Sequence, residues 1–139
     1  MQENASIQLT FPAQYQFLQI LGSCIQALLA SWDALPDVEQ TSYSLRLAIH
    51  EICNNVIEHA YHEQPGEIKL ILAANPQNRF FSADIYDTGV GFEVKNAPEP
   101  NLAQAQEEGY GLFLARQLMD EVCYTRQENQ NHWRLVKQL

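Results

Sequence analysis

Basic residues are scarce in this chain of 139 residues: 8 Lys and Arg stand against 17 Asp and Glu, a formal net charge of -9. So little positive charge argues against a general nucleic-acid binder and against an anionic membrane surface, both of which call for clustered Lys and Arg. The balance suits a basic protein partner, and acidity is also a common route to solubility. Cysteine is sparse too. Cys24, Cys53 and Cys123 are an odd number at wide spacings, so neither a disulfide framework nor a C-x-x-C metal site is legible. Each sits in an apolar stretch, where a free thiol acts as a small hydrophobe. The opening "MQENASIQLTF" has no basic region followed by an apolar one, and no apolar run is long enough to span a bilayer. A cytoplasmic protein in a reducing compartment is expected, without a membrane or direct nucleic-acid partner. No G-K-[ST] occurs, which excludes a P-loop, and "HEICN" lacks the second histidine of the zinc-protease pattern H-E-x-x-H.

What is present is ordinary for a globular chain: 46% apolar and 18% charged residues, with enough length for one domain over 1–139. "SIQLTF" alternates as a strand. Pro12 then opens a helical segment, "AQYQFLQILGSCIQALLASW", with Phe17, Leu18, Leu21, Ile25, Leu28 and Leu29 at helical spacing. "DALPDVEQ" is a turn, and a second helix is expected from about Val38 to Tyr61, stopped by "QPG". Strands "EIKLILAAN" and "RFFSADIYD" form a hairpin across "PQN". A third helix, "YGLFLARQLMDE", follows a long connection rich in Gly, Pro, Asn and Gln. "VCYTRQEN" and "HWRLVKQL" close the chain as a hairpin turning at Gln130 and Asn131. The order gives an α+β two-layer sandwich, a largely antiparallel mixed sheet covered on one face by about three helices.

Three stretches carry polar residues that a scaffold does not need. "HEICNNVIEHAYHE", residues 50–63, puts two adjacent asparagines inside a helix, where their amides compete for backbone hydrogen bonds. On a 3.6-residue wheel, Leu45, Ile49, Ile52, Cys53, Val56 and Ala60 share one face and should pack on the sheet. Glu51, Asn55, Glu58 and His62 share the other, with Glu51 and Asn55 one turn apart. That row reads either as a solvated face or as a carboxylate and an amide aimed at one ligand. An amide oxygen suits Mg²⁺, and a carboxylate can accept a proton. His59, His62 and Glu58 could in principle hold a transition metal. "YDTGVGF", residues 86–92, ends a strand with Asp87, Gly89 and Gly91, which reads as a tight turn or as a ligand loop. "EEGYGLF" sets Gly109 and Gly111 at a helix start, a capping turn or an anion site.

In order, these are E-x-x-x-N on a helix, D-x-G-x-G after a strand, a long loop, and G-x-G opening a helix. The pattern resembles the ATP-binding domain of the GHKL or Bergerat fold, shared by sensor histidine kinases and gyrase B. Within it the chain most closely resembles the bacterial anti-sigma factor serine/threonine kinases of partner-switching systems. "HEICNNVIEHAYHE" is similar to the N box, typically E-A-x-T-N-A-x-x-H-A-Y. "DTGVGF" resembles the first glycine box and "GYGLFLARQLMDEV" the second. The resemblance implies a single histidine-kinase-like ATPase domain using ATP and Mg²⁺. It assigns Asn55 to the metal and Glu51 to the catalytic base. Asp87 would accept from the adenine amino group, Gly89 and Gly91 would shape the adenine wall, and Gly109, Tyr110, Gly111 and Leu112 would border the phosphates. The connection between the glycine pairs would close as a lid. The implied partners are a sigma factor and a STAS-domain anti-anti-sigma protein, which the kinase phosphorylates. Family members often form homodimers.

Two departures stand out. Where some members carry a basic residue before the second glycine pair, this chain has Glu107 and Glu108, and Lys95 is the only cation between the pairs. The last expected strand, "HWRLVKQL", lacks the hydroxyl residue that commonly backs the adenine aspartate. They leave a second function open: a non-catalytic, ATP-dependent module that sequesters a regulatory partner. An orphan histidine kinase is not expected, since these 139 residues leave no room for a separate dimerisation helix pair bearing a phosphoacceptor histidine.

Overall fold

Period-2 alternation resolves into five strands in the computed structural model, which describes residues 4–31, 37–92 and 110–139. They are β1 (Ala5–Pro12), β2 (Glu67–Asn75), β3 (Phe80–Asp87), β4 (Glu121–Gln127) and β5 (Gln130–Gln138). They form one sheet in the order β1-β2-β3-β5-β4, and every neighbouring pair is antiparallel. The parallel component allowed by the expected mixed sheet does not occur in these pairs. The register stacks Ala83 between Leu72 and Leu135, and Ile85 between Leu70 and Trp133, all on one face and all buried. Continuing by two residues, the same row reaches Asp87 opposite Asn131. The alternation that builds the core therefore also carries a carboxylate onto its inner face.

Helices α1 (Ile20–Ala30), α2 (Val38–Asn55) and α3 (Tyr110–Leu118) supply the second layer. Leu21, Ile25, Leu28 and Leu29 of α1 are buried, as are Leu45, Ile49, Ile52 and Cys53 of α2. Each fully buried Leu or Ile contributes about 1.5–3 kcal/mol relative to exposure. Asp37, at a φ of 52°, caps α2 by accepting from the Gln40 amide at 3.3 Å. Pro12 ends β1 rather than opening a helix, and a 3₁₀ turn at Tyr15–Gln19 leads into α1. The final hairpin turns at Glu128 and Asn129, whose φ values of 51° and 64° fit a tight two-residue turn. Asn131, expected in that turn, lies inside β5.

One further departure matters for the site. After Asn55 the second helix widens into a π-helical turn over Val56–Ala60. Such turns break the 3.6-residue period and recur at functional sites. Glu51 and Asn55 stay half-buried, while Glu58 and His62 are exposed, so the expected four-residue polar row is split in two.

Candidate functional site

Asp87, the last residue of β3, is 3% exposed. Its Oδ1 accepts from the Gly89 amide at 2.9 Å and from Asn131 Nδ2 at 2.7 Å. Its Oδ2 is buried and has no hydrogen-bond partner among the described residues. Burial pushes this carboxyl above its ordinary pKa, while the bonds from Asn131 and Gly89 and the charge of Arg126 pull it down. A buried, unpartnered carboxylate oxygen is costly for a fold to keep. Asp87 lies at a pocket between α2 and the sheet, with Asn55, His59, Val90, Phe92 and Trp133 on its walls. The pocket has about 10 Å³ of free space, room for roughly one water.

The loop after Asp87 is tied down from both sides. From β5, Asn131 Nδ2 also donates to the Val90 carbonyl at 2.9 Å, and its Oδ1 accepts from Arg126 Nη1 at 2.7 Å and from the Tyr124 hydroxyl. Arg126 reaches the Gly89 carbonyl at 2.9 Å, and the Tyr124 hydroxyl accepts from the Phe92 amide at 2.9 Å. From the π turn, the Ala60 carbonyl accepts from the Val90 amide at 2.9 Å. The Tyr61 hydroxyl accepts from the Thr88 amide at 2.9 Å and donates to the Glu67 carbonyl at 2.7 Å. Gly89 is required here by close approach, since a Cβ would overlap the Ala60 carbonyl.

Glu51 and Asn55 project one turn apart from α2, with Asn55 on the pocket wall. Glu51 lies against the first turn of α3, where a Cβ on Gly111 would come 2.6 Å from its Oε2. Leu112 is buried, and Tyr110 is 43% exposed at the start of the helix. Asn54 donates from Nδ2 to His50 Nδ1 at 3.2 Å, and its buried Oδ1 has no partner among the described residues. Among the described residues, no group of three or more His, Cys, Asp or Glu could hold a metal ion by itself. A Mg²⁺ ion, which commonly takes one or two protein ligands and completes its shell with phosphates and water, fits a lone Asn55 better than a caged transition metal does.

The structure thus brings Glu51, Asn55, Asp87, Gly89, Gly91 and Gly111 around one end of the α2–sheet interface. Gly109, Glu107, Glu108, Lys95 and the expected lid lie outside the described residues. Asn131 is the residue sequence reasoning missed: an amide takes the place behind Asp87 where a hydroxyl was sought. The signal was the adjacent Glu128-Asn129 pair, a tight-turn candidate that sets the register of β5.

A family model described as a histidine kinase-like ATPase domain matches residues 11–137. The serine-protein kinase RsbW of Bacillus thuringiensis (strain Al Hakam) is 27% identical over 131 residues, covering 88% of this chain and 78% of that protein. RsbW of Bacillus anthracis matches with the same identity and coverage. The crystal structure of the RsbU and RsbW domains of Rv1364c from Mycobacterium tuberculosis aligns with a TM-score of 0.65 at 17% identity, over 97% of this chain and 32% of that one. A histidine kinase domain from a blue-light activated histidine kinase of Erythrobacter litoralis gives a TM-score of 0.57 at 20% identity, over 93% of this chain and 62% of that one. At such identities the two structures speak for the fold alone, and the chain spans under two thirds of either.

Proposed function

The chain belongs to the histidine kinase-like ATPase domain family, and we propose that it binds Mg-ATP and phosphorylates a serine or threonine of a STAS-type anti-anti-sigma partner. One observation carries the nucleotide reading: the buried Oδ2 of Asp87 at the pocket, which has no partner among the described residues. An exocyclic amino group is the donor it lacks, and adenine supplies one. The free space is far smaller than a purine, so base binding requires the pocket walls to move apart. The amides that open α3 would receive the phosphates, favoured by the helix dipole. Asn55 would hold Mg²⁺, whose chemistry when bound is to neutralise phosphate charge. Glu51 would take the proton of the attacking hydroxyl as its oxygen bonds to the terminal phosphorus and the bond to ADP breaks.

Phosphate added to the partner changes its surface charge and would release it, freeing this protein to sequester a sigma factor. The names of the RsbW relatives support the serine-kinase assignment. A second reading, a non-catalytic ATP-dependent module, is favoured by the sequence, where Glu107 and Glu108 stand in place of the basic residue that some family members carry before the second glycine pair. Calorimetric titration with ATP, with and without Mg²⁺, tests binding first. Asn55→Ala should weaken the Mg²⁺-dependent part while leaving the thermal midpoint in place. Incubating candidate STAS proteins with the chain and ATP then separates the two functions. Phosphoserine or phosphothreonine on the partner supports the kinase, and nucleotide-dependent complex formation without phosphate supports the module.

A further inference from the structure

We propose that Gly111 is a positioning residue for the proton acceptor: its missing side chain is the space in which the Glu51 carboxylate sits. The inference rests on the kinase reading for its catalytic consequence, although the contact itself is independent of it. Two explanations for a glycine at this place can be weighed. The first is backbone conformation. Gly111 lies within α3 and its φ is not in the left-handed region, so any residue could adopt its conformation. Alanine is the better helix former there. The second is space. A Cβ at 111 would stand 2.6 Å from Glu51 Oε2, well inside contact distance, but 3.5 Å from Glu51 Cβ and Cδ, an ordinary contact.

Only the terminal oxygen collides. It is the far end of a flexible side chain on α2, so the helices need not separate to relieve the clash; the carboxylate turns away instead. A methyl group at 111 therefore leaves the two helices packed and moves the one atom whose place matters to proton transfer. Catalytic geometry is sensitive to displacements of this size. The same glycine lies in the first turn of α3, beside the amides assigned to the phosphates. The carboxylate and the terminal phosphate are thereby indexed to one helix start, which fixes their spacing through a single element.

The test uses the full chain with Gly111→Ala. The expected result is a protein that folds with an unchanged or higher thermal midpoint and transfers phosphate about a hundredfold more slowly, in line with loss of a general base. The loss of ATP affinity should be at least about tenfold smaller than the loss of rate, since the backbone amides that face the phosphates are kept. Glu51→Gln should show the same split between affinity and rate. Gly111→Ala added to the Glu51→Gln background should cost little further rate, because the base it would displace is already gone, whereas loss of helix structure would add its own cost. Parent-like transfer by Gly111→Ala would overturn the proposal. So would a fall in ATP affinity as large as the fall in rate, which would place Gly111 at the phosphates alone. A second readout needs no kinase activity: carbon-13 NMR of the Glu51 carboxyl in ATP-free protein. A changed Glu51 carboxyl signal with the other glutamates unmoved supports the displaced carboxylate even if no partner is ever phosphorylated, in which case the kinase reading alone fails. An unchanged Glu51 signal overturns the positioning role.

Discussion

Asp87 illustrates how a single residue reports function through what it costs. Its carboxyl is raised above the ordinary 3.8, first by burial, with Asn131, Gly89 and Arg126 pulling the other way. The folded state therefore binds protons more tightly than the unfolded one. The stability this group contributes is present in full below about 3.8, its unfolded value, and is lost as pH rises through the raised folded value. Above that raised value the fold carries a desolvated charge whose second oxygen has no partner among the described residues. Asp87→Asn removes that charge and can keep the bonds from Gly89 and Asn131. Its thermal midpoint should equal or exceed the parent's at neutral pH, and the difference should close below the ordinary carboxylate range. ATP affinity should meanwhile fall roughly 10- to 100-fold, the worth of one hydrogen bond to a charged acceptor. Melts across pH and calorimetry on the same samples check both halves. A variant that loses stability at neutral pH along with affinity would make Asp87 a structural residue.

At the scale of elements, the sequence was legible wherever periodicity alone decides. The three helices and five strands follow from it, as do the apolar faces of α1 and α2. Two local features escaped. The π turn at Val56–Ala60 is invisible to a wheel that assumes one period, because Glu58 and His62 continue the pattern of Glu51 and Asn55 on paper. The final turn was misplaced by two residues, because both Glu128-Asn129 and Gln130-Asn131 are polar pairs and only the backbone distinguishes them. Asn131 was lost to that slip, since its value depends on standing opposite Asp87 across the sheet. The π turn has a consequence of its own: it presents the Ala60 carbonyl and the Tyr61 hydroxyl to the glycine loop. Tyr61→Phe keeps the ring that packs against Gly66 but removes the bonds to Thr88 and Glu67. It should lower unfolding free energy by about 1–2 kcal/mol and weaken ATP several-fold by loosening residues 88–92. Urea titration and ATP calorimetry give the two numbers. Weakened stability with parent-like ATP affinity would mean that the Tyr61 bonds do not shape the nucleotide pocket.

For the molecule as a whole, the candidate site is drawn widely from the chain: α2, the end of β3, the start of α3 and β5 each contribute, so the site exists only when both layers are assembled. A ligand that binds such a site binds the folded state and not the unfolded one, and its affinity must appear as stability. At a free ATP concentration of about 100 times the dissociation constant, with Mg²⁺, the gain is about 2.7 kcal/mol. For a domain of this size that raises the thermal midpoint by about 9 °C. Chelating the metal should shrink the shift, because Asn55 is the one residue assigned to hold it. Asp87→Asn at the same ATP concentration should shrink it further while starting from an equal or higher midpoint without nucleotide. These opposite movements in one variant cannot come from general weakening of the fold, which would lower the ligand-free midpoint as well. A shift that survives Asp87→Asn intact would move the nucleotide away from this pocket, and with it the roles assigned to Glu51 and Gly111.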